Sequence, residues 1–130
     1  MFRKFQNSKR RGDAGLGLAI AWFTATGYKV SIPLTDSQDY DLIVEADGKL
    51  HRVQVTTCSQ KQKSGNYVVE LRTVSYGGKD YNIKHFDSNA IDYLFVITDN
   101  GCKYLIPVEV FGQNRRSLTL SREYERFQVQ

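Results

Sequence analysis

Asp41, Gln54 and Thr56 are the residues whose types conflict most with their surroundings. They lie in "YDLIVEADGKLHRVQVTT", residues 40–57, which reads as two strands joined by a tight turn at Asp47-Gly48. Alternate side chains of a strand share a face. His51, Val53, Val55 and Thr57 therefore lie on one side, with Arg52, Gln54 and Thr56 on the other. A carboxylate, an amide and a hydroxyl brought together offer oxygen atoms that accept hydrogen bonds or ligate a hard cation. On a solvated hairpin such a pattern has no consequence; in a cleft it is a site. The elements around the hairpin decide which it is.

The stretch "DAGLGLAIAWFTATG" predicts a helix capped by Asp13 and stopped by Gly27. Leu16, Ile20 and Phe23 lie on one face and Leu18 and Trp22 on another, the pattern of a helix held between a sheet and a further element. "YKVSIP" predicts a short strand ended by Pro33, and "TDSQ" the loop into the hairpin. After an exposed tip at "SQKQKSGN", "YVVELRTVS" predicts one strand with Glu70 and Arg72 opposite Val69 and Leu71, and "YGGKDYNIKHFDSN" a loop. "IDYLFVIT" is continuously apolar, as a strand buried on both faces is, and predicts the sheet centre. Asn100-Gly101 turns the chain into "CKYLIP", and the tail carries a helical turn or two and a short apolar stretch. The expected fold is α/β (α+β), a single domain over residues 1–130 with a central mixed β-sheet flanked by helices.

A chain of 130 residues buries about two-thirds of its unfolded surface around one core without cross-links. Its 41% hydrophobic and 12% aromatic content excludes the disordered class. No apolar run approaches the roughly 20 residues of a membrane span, and no signal-peptide core follows the basic start. An intracellular, cytoplasmic protein without membrane contact is expected. Cys58 and Cys102 stand apart, which predicts two reduced thiols rather than a zinc site or a disulfide. His51 and His85 have no metal partner nearby and read as packed or solvated imidazoles. Tyr40, Tyr67 and Tyr76 read as packing residues, with base stacking as the alternative.

The net charge of +4 matters less than its distribution. Basic residues cluster at Arg3, Lys4, Lys9, Arg10 and Arg11, at Lys61 and Lys63, at Lys79 and Lys84, and at Arg115 and Arg116. One cluster is usually a solvated face; several favour a polyanion, and nucleic acid above all. Lys9, Arg10, Arg11, Arg52, Lys61 and Lys63 are the candidate nucleic-acid contacts.

The order helix, strand, Asp-bearing strand, Gln-x-Thr strand and further strand, with the spacing of "DYDLIV" to "VQVTT", resembles the PD-(D/E)XK endonuclease superfamily. Within it the likeness is to a small branch that includes a cyanobacterial intron-encoded homing endonuclease. "GDAGLGLAIAWFTATGYKVSIP", "YDLIVEADGKLHRVQVTT", "YVVELRT" and "FDSNAIDYLFVITDNGCKYLIP" carry it, nearly the whole chain. The resemblance implies a restriction-endonuclease-like core, DNA as partner and magnesium as cofactor. It implies Asp41, the Gln54 amide oxygen and the Val55 carbonyl as metal ligands. In this branch a helix Glu and a Lys two residues after the Gln complete the catalytic set. Phosphodiester hydrolysis needs those types: a hard cation takes oxygen ligands, activates water and neutralises charge growing on the phosphate.

Two positions depart from that pattern: Leu16 stands where the branch has its Glu, and Thr56 where it has its Lys. Both changes remove charge, and loss of one charge-stabilising group typically costs about a hundredfold in rate. The reading is a DNA-binding protein on a nuclease-like fold whose cleavage site is degenerate, weakly active or inactive, with magnesium binding weakened or lost. One alternative is an active magnesium-dependent endonuclease whose lost roles have migrated to Arg52, Lys61, Glu70, Arg72 or Asp13; arginine suits charge stabilisation better than proton transfer. Another is a protein-interaction module on the same scaffold. Acting on both strands of a duplex suits a homodimer, or a homotetramer built as a dimer of dimers. The apolar tail at Phe111, Leu118, Leu120 and Phe127 serves either that interface or the local core.

Overall fold

The computed structural model describes residues 7–71, 73–77, 80–84, 86–112 and 115–130. A single long helix opens the described chain: α1, Ser8–Thr26. Its N-cap is Asn7, whose side-chain oxygen accepts from the Lys9 N–H at 2.8 Å, so the cap lies six residues before the expected one at Asp13. The physical reason is that "SKRR" contains good helix formers and no breaker once Asn7 has satisfied an orphan donor. At the other end Gly27 takes φ 103°, and the Gly27 and Tyr28 N–H groups return to the Thr24 and Phe23 carbonyls, as a glycine stop requires.

Five strands follow in the order that builds the site: β1 (Lys29–Ser31), β2 (Leu42–Ala46), β3 (Lys49–Cys58), then β4 (Val68–Glu70) and β5 (Thr73–Gly77). Next come β6 (Asp80–Lys84), β7 (Tyr93–Thr98), β8 (Lys103–Pro107), β9 (Ser117–Thr119) and β10 (Gln128–Val129), with 3₁₀ turns at Val108–Val110 and Arg122–Phe127. The main sheet has six strands in the order β1-β2-β3-β7-β8-β10. It is mixed: β3 and β7 are parallel and the other pairs antiparallel. Asp47 and Gly48 both have positive φ, the conformation that a two-residue hairpin turn demands of them.

β7 is the centre, as its unbroken apolar run predicts. Phe95 and Ile97 join Ala19, Phe23, Leu42 and Val53 beneath α1, while Leu94 and Val96 face a second core with Val69, Ile106 and Leu118. That second face is covered by strands rather than by another α-helix among the described residues. β4 pairs with β9, and β5 pairs with β6. In two places the chain departs from what its sequence predicts. "YVVELRTVS" is two strands, and the stretch read as a loop after it contains β6. Gly77-Gly78 in the sequence is a hairpin-turn signal, and Gly77 pairs with Asp80, so the turn glycines together with the β-propensity of Tyr81 and Ile83 outweigh the polar composition around them. Arg3, Lys4, Arg72, Lys79 and His85 lie outside the described residues.

The second cover of α1 is the C-terminal segment. Trp22 packs at 5.3 Å between ring centroids from Phe95, and its indole N–H donates to the Gln130 carbonyl at 2.6 Å. Val129 joins the same core, which gives the nearly all-apolar helix its second partner.

Candidate active site

β2 begins at Leu42, opposite Val53 of antiparallel β3, and β3 runs on past that point to Cys58, which leaves a notch in the sheet. Asp41 stands at that notch. Its N–H donates to the Val53 carbonyl at 2.8 Å, the last step of the ladder, and its Oδ2 accepts from the Val55 N–H at 2.7 Å. The carboxylate thus occupies the place a further backbone carbonyl would take. The N–H and C=O of one strand residue point to the same side, so the Val55 carbonyl also faces the notch. One register step beyond the Leu42–Val53 pair sets Gln54 opposite Asp41.

The Gln54 and Thr56 face is not a solvated one: both residues are half-buried, and the same face reaches the second core at Cys58. Cys58 itself is buried and its thiol donates to the Val68 carbonyl; burial pushes the thiol up, which makes it an inert packing residue.

Leu16 and Asp41 border one cleft of about 190 Å³ together with the loop between β1 and β2. The helix reaches the notch because Gly15 lies directly against β3; a Cβ there would sit 2.5 Å from the Thr57 methyl. Asp36, Gln38 and Tyr40 line the cleft as well, and sequence reasoning assigned none of the first two to the site. The available signal was the density of acids in "TDSQDYD" immediately before Asp41. Burial raises the Asp41 carboxyl above its ordinary value, and the Val55 N–H opposes that shift only in part. Among the described residues no cation lowers it.

Arg52 is engaged elsewhere. Its backbone N–H donates to Asp92 Oδ2 at 2.8 Å, and its guanidinium reaches both carboxylate oxygens at 3.3 Å. Burial pushes Asp92 up, but the Arg52 hydrogen bonds and charge outweigh it and hold the carboxyl below its usual value. Hydrogen bonding to Asp92 raises Arg52 in turn. Asp92 was not anticipated from the sequence, since only the parallel β3–β7 register brings residues 40 positions apart into contact.

The remaining candidates divide by position. Lys9, Arg10, Lys61 and Lys63 are exposed. Arg11 is half-buried and borders a second cleft with Thr57, Ser59, Gln60 and Glu70, next to the loop that carries Lys61 and Lys63. Lys61 Nζ lies 4.8 Å over the Tyr67 ring. Asp13 is an exposed helix residue. His51 packs edge-on to Tyr93, while Tyr40 and Tyr67 pack against the second core.

Residues 6–130 match the PD-(D/E)XK endonuclease family. The chain belongs to that family. Among solved structures, the chain is similar to I-Ssp6803I, a bacterial homing endonuclease. Its structure superposes with a TM-score of 0.76 at 28% identity, covering 92% of this chain and 82% of that one. Protein 5.3 of Escherichia phage T7 is 30% identical over 86 residues, 65% of this chain and 73% of that protein.

A divalent cation is the group the family implies. Among the described residues no three His, Cys, Asp or Glu side chains gather closely enough to form a metal centre. The oxygens at the notch are instead of mixed type, the Asp41 carboxylate and the Val55 carbonyl; Gln54 follows in register opposite Asp41, but neither it nor Thr56 is among the residues that line the Asp41 cleft. The oxygens at the notch fit a hard cation that retains several waters.

Proposed function

We propose that this protein binds duplex DNA on its PD-(D/E)XK fold and cleaves it weakly or not at all. The observation that carries the reading is an apolar Leu16 on the cleft that holds Asp41. Asp41, Gln54 and the Val55 carbonyl would hold a divalent cation, magnesium by the chemistry of the donors. When bound, that cation supplies an activated water and neutralises charge growing on the phosphate. Thr56 offers a hydroxyl where a cationic donor is needed, and Leu16 cannot orient water. Each deficit is worth about a hundredfold in rate. The exposed Lys9, Arg10, Lys61 and Lys63, with Arg11 between the helix and the loop, form a rim suited to tracking phosphates. A symmetric homodimer would present two such rims to a duplex.

Supercoiled DNA with magnesium or manganese tests the reading. The wild type is expected to nick slowly if at all, and a Leu16→Glu/Thr56→Lys variant to gain metal-dependent nicking that Asp41→Ala abolishes. A folded but inert double variant would refute the assignment of Leu16 and Thr56 to the site. In EDTA the wild type should bind duplex with an affinity that falls linearly with salt on logarithmic axes. Neutralising Arg10, Arg11, Lys61 and Lys63 should flatten that slope. Absence of binding at low salt would leave only a protein-interaction role for the scaffold.

A second reading, an active endonuclease with a rearranged site, is favoured by Asp36 on the Asp41 cleft. Robust wild-type cleavage that depends on Asp41 would select it.

A further inference from the structure

We propose that the hairpin over residues 59–67, which joins β3 to β4, enters the major groove of duplex DNA and reads a guanine through Lys63 at its tip. The inference rests on the DNA-binding reading of this fold and assigns the element that gives such binding a sequence preference.

The hairpin prolongs β3 and is braced along its length. The Val68 N–H donates to the Gln60 carbonyl, the Gln62 N–H to the Asn66 carbonyl and the Gly65 N–H to the Gln62 carbonyl, each at 2.9 Å. Gly65 takes φ 92°, a conformation that closes the turn at no steric cost to glycine. Two further bonds tie this ribbon to the body of the protein. The Gln62 amide donates to the Thr119 hydroxyl of β9 at 3.1 Å, and the Leu120 N–H donates to the Tyr67 carbonyl at 2.8 Å. An exposed loop ordinarily loses conformational freedom when it binds; one already held in place gives up little.

Composition selects the partner. "SQKQKSGNY" holds two lysines, two glutamines and an asparagine without an acid, whereas Asp47 and Asp99 stand at the β2–β3 and β7–β8 turns. Residues 59–65 are exposed. The major groove, about 12 Å wide, admits a two-stranded ribbon of this kind. Lys61 lies on the stem, where its Nζ sits over the Tyr67 ring, and stays with the phosphates; Lys63 stands at the turn and meets the bases first. Guanine presents O6 and N7 side by side in that groove, the acceptor pair that a lysine ammonium reads. Arg11 borders the base of the hairpin with Thr57 and Gln60, so the basic start of α1 flanks the ribbon. Lys63 follows Val55 by eight residues. Extended chain of that length spans at most about 26 Å, or about eight base-pair steps, so the tip and the Asp41 notch address one stretch of duplex.

Selection from a random-sequence duplex library by the intact protein in EDTA, followed by sequencing, tests the assignment without any cleavage assay. The wild type should enrich one guanine about tenfold over the other bases, and binding should protect its N7 from dimethyl sulfate. Lys63→Gln should move that preference to adenine, whose N6 and N7 suit a glutamine amide, and Lys63→Ala should abolish it. Lys9→Gln, at the start of α1, should keep the guanine while lowering the salt slope by about one. Unchanged melting temperatures confirm that the variants fold. A wild-type preference in both Lys63 variants would overturn the proposal, as would an unprotected N7 or a wild type that binds duplex without any preference; the last two leave the DNA-binding reading intact. Retention of no duplex at all at low salt would overturn that reading and the proposal with it.

Discussion

Asp41 does two things that pull against each other. As an acceptor for the Val55 N–H it closes the end of the β2 ladder, yet its charge is desolvated and its carboxyl is raised. A folded-state value above the unfolded one means that the native state binds the extra proton, so the ionised group costs stability at neutral pH, and that cost disappears as pH falls towards the unfolded value. Asp41→Asn keeps an oxygen for Val55 and removes the charge. It should therefore raise the melting temperature by a few degrees at pH 7 in metal-free buffer, with the gap narrowing in acid. A lower melting temperature at pH 7 would show that the carboxylate is structural. Asp92 has the opposite sign. Its carboxyl is lowered, so its contribution is present above the unfolded value of 3.8 and is lost as pH falls through the folded one. Asp92→Asn should cost about 1 kcal/mol at pH 7 by chemical denaturation and progressively less below that point. The pair is more than a third exposed, which keeps the expected cost small.

At the scale of elements, one contact sets the distance between α1 and β3. Gly15 meets the methyl of Thr57, a β-branched side chain with little freedom to move. Gly17 has open space around the same position. Helix propensity alone favours alanine at both sites by about 1 kcal/mol. Packing should reverse the sign at Gly15: Gly15→Ala is expected to destabilise by about 1–3 kcal/mol, and Gly17→Ala to stabilise by up to about 1 kcal/mol. Adding Thr57→Ser, which removes the methyl, should recover most of the loss at Gly15. A failure of that rescue in urea denaturation would mean that the helix seat is set elsewhere. The same contact holds Leu16 at the Asp41 cleft, so a shifted helix would also change the site.

For the whole molecule, the tail belongs to the core. Phe111, Leu118 and Leu120 are all buried in the second cluster, and Phe127 packs against it. Leu118 is fully buried within β9, which pairs with β4 over the Gln54 face of the sheet. Leu118→Ala should cost about 2–5 kcal/mol of stability and leave the protein's association state, measured by light scattering, unchanged. Dissociation of an assembly without loss of stability would instead return the tail to an interface role. Among the described residues the exposed large apolar side chains are Ile32, Leu34 and Leu50, and they lie on or near the β2 side of the sheet rather than on the tail.

The sequence by itself determined the elements whose signals are local. The glycine stop at Gly27, the Asp47-Gly48 turn and the apolar run of β7 each depend on a few adjacent residues, and each stands where their chemistry puts it. Alternation along β3 also separated Val53 from Gln54, and the match to the family pattern singled out Asp41 and Leu16. Only the tertiary structure decided what those residues meet. The Arg52–Asp92 pair depends on the register of parallel strands far apart in the chain, the seat of α1 on one close glycine contact, and the arrival of Asp36 and Gln38 at the Asp41 cleft on the course of a loop without periodicity. A strand's pattern encodes which face each side chain takes, because the backbone repeats every two residues. It carries no comparable record of which distant segment will cover that face, since burial rewards any apolar partner that fits.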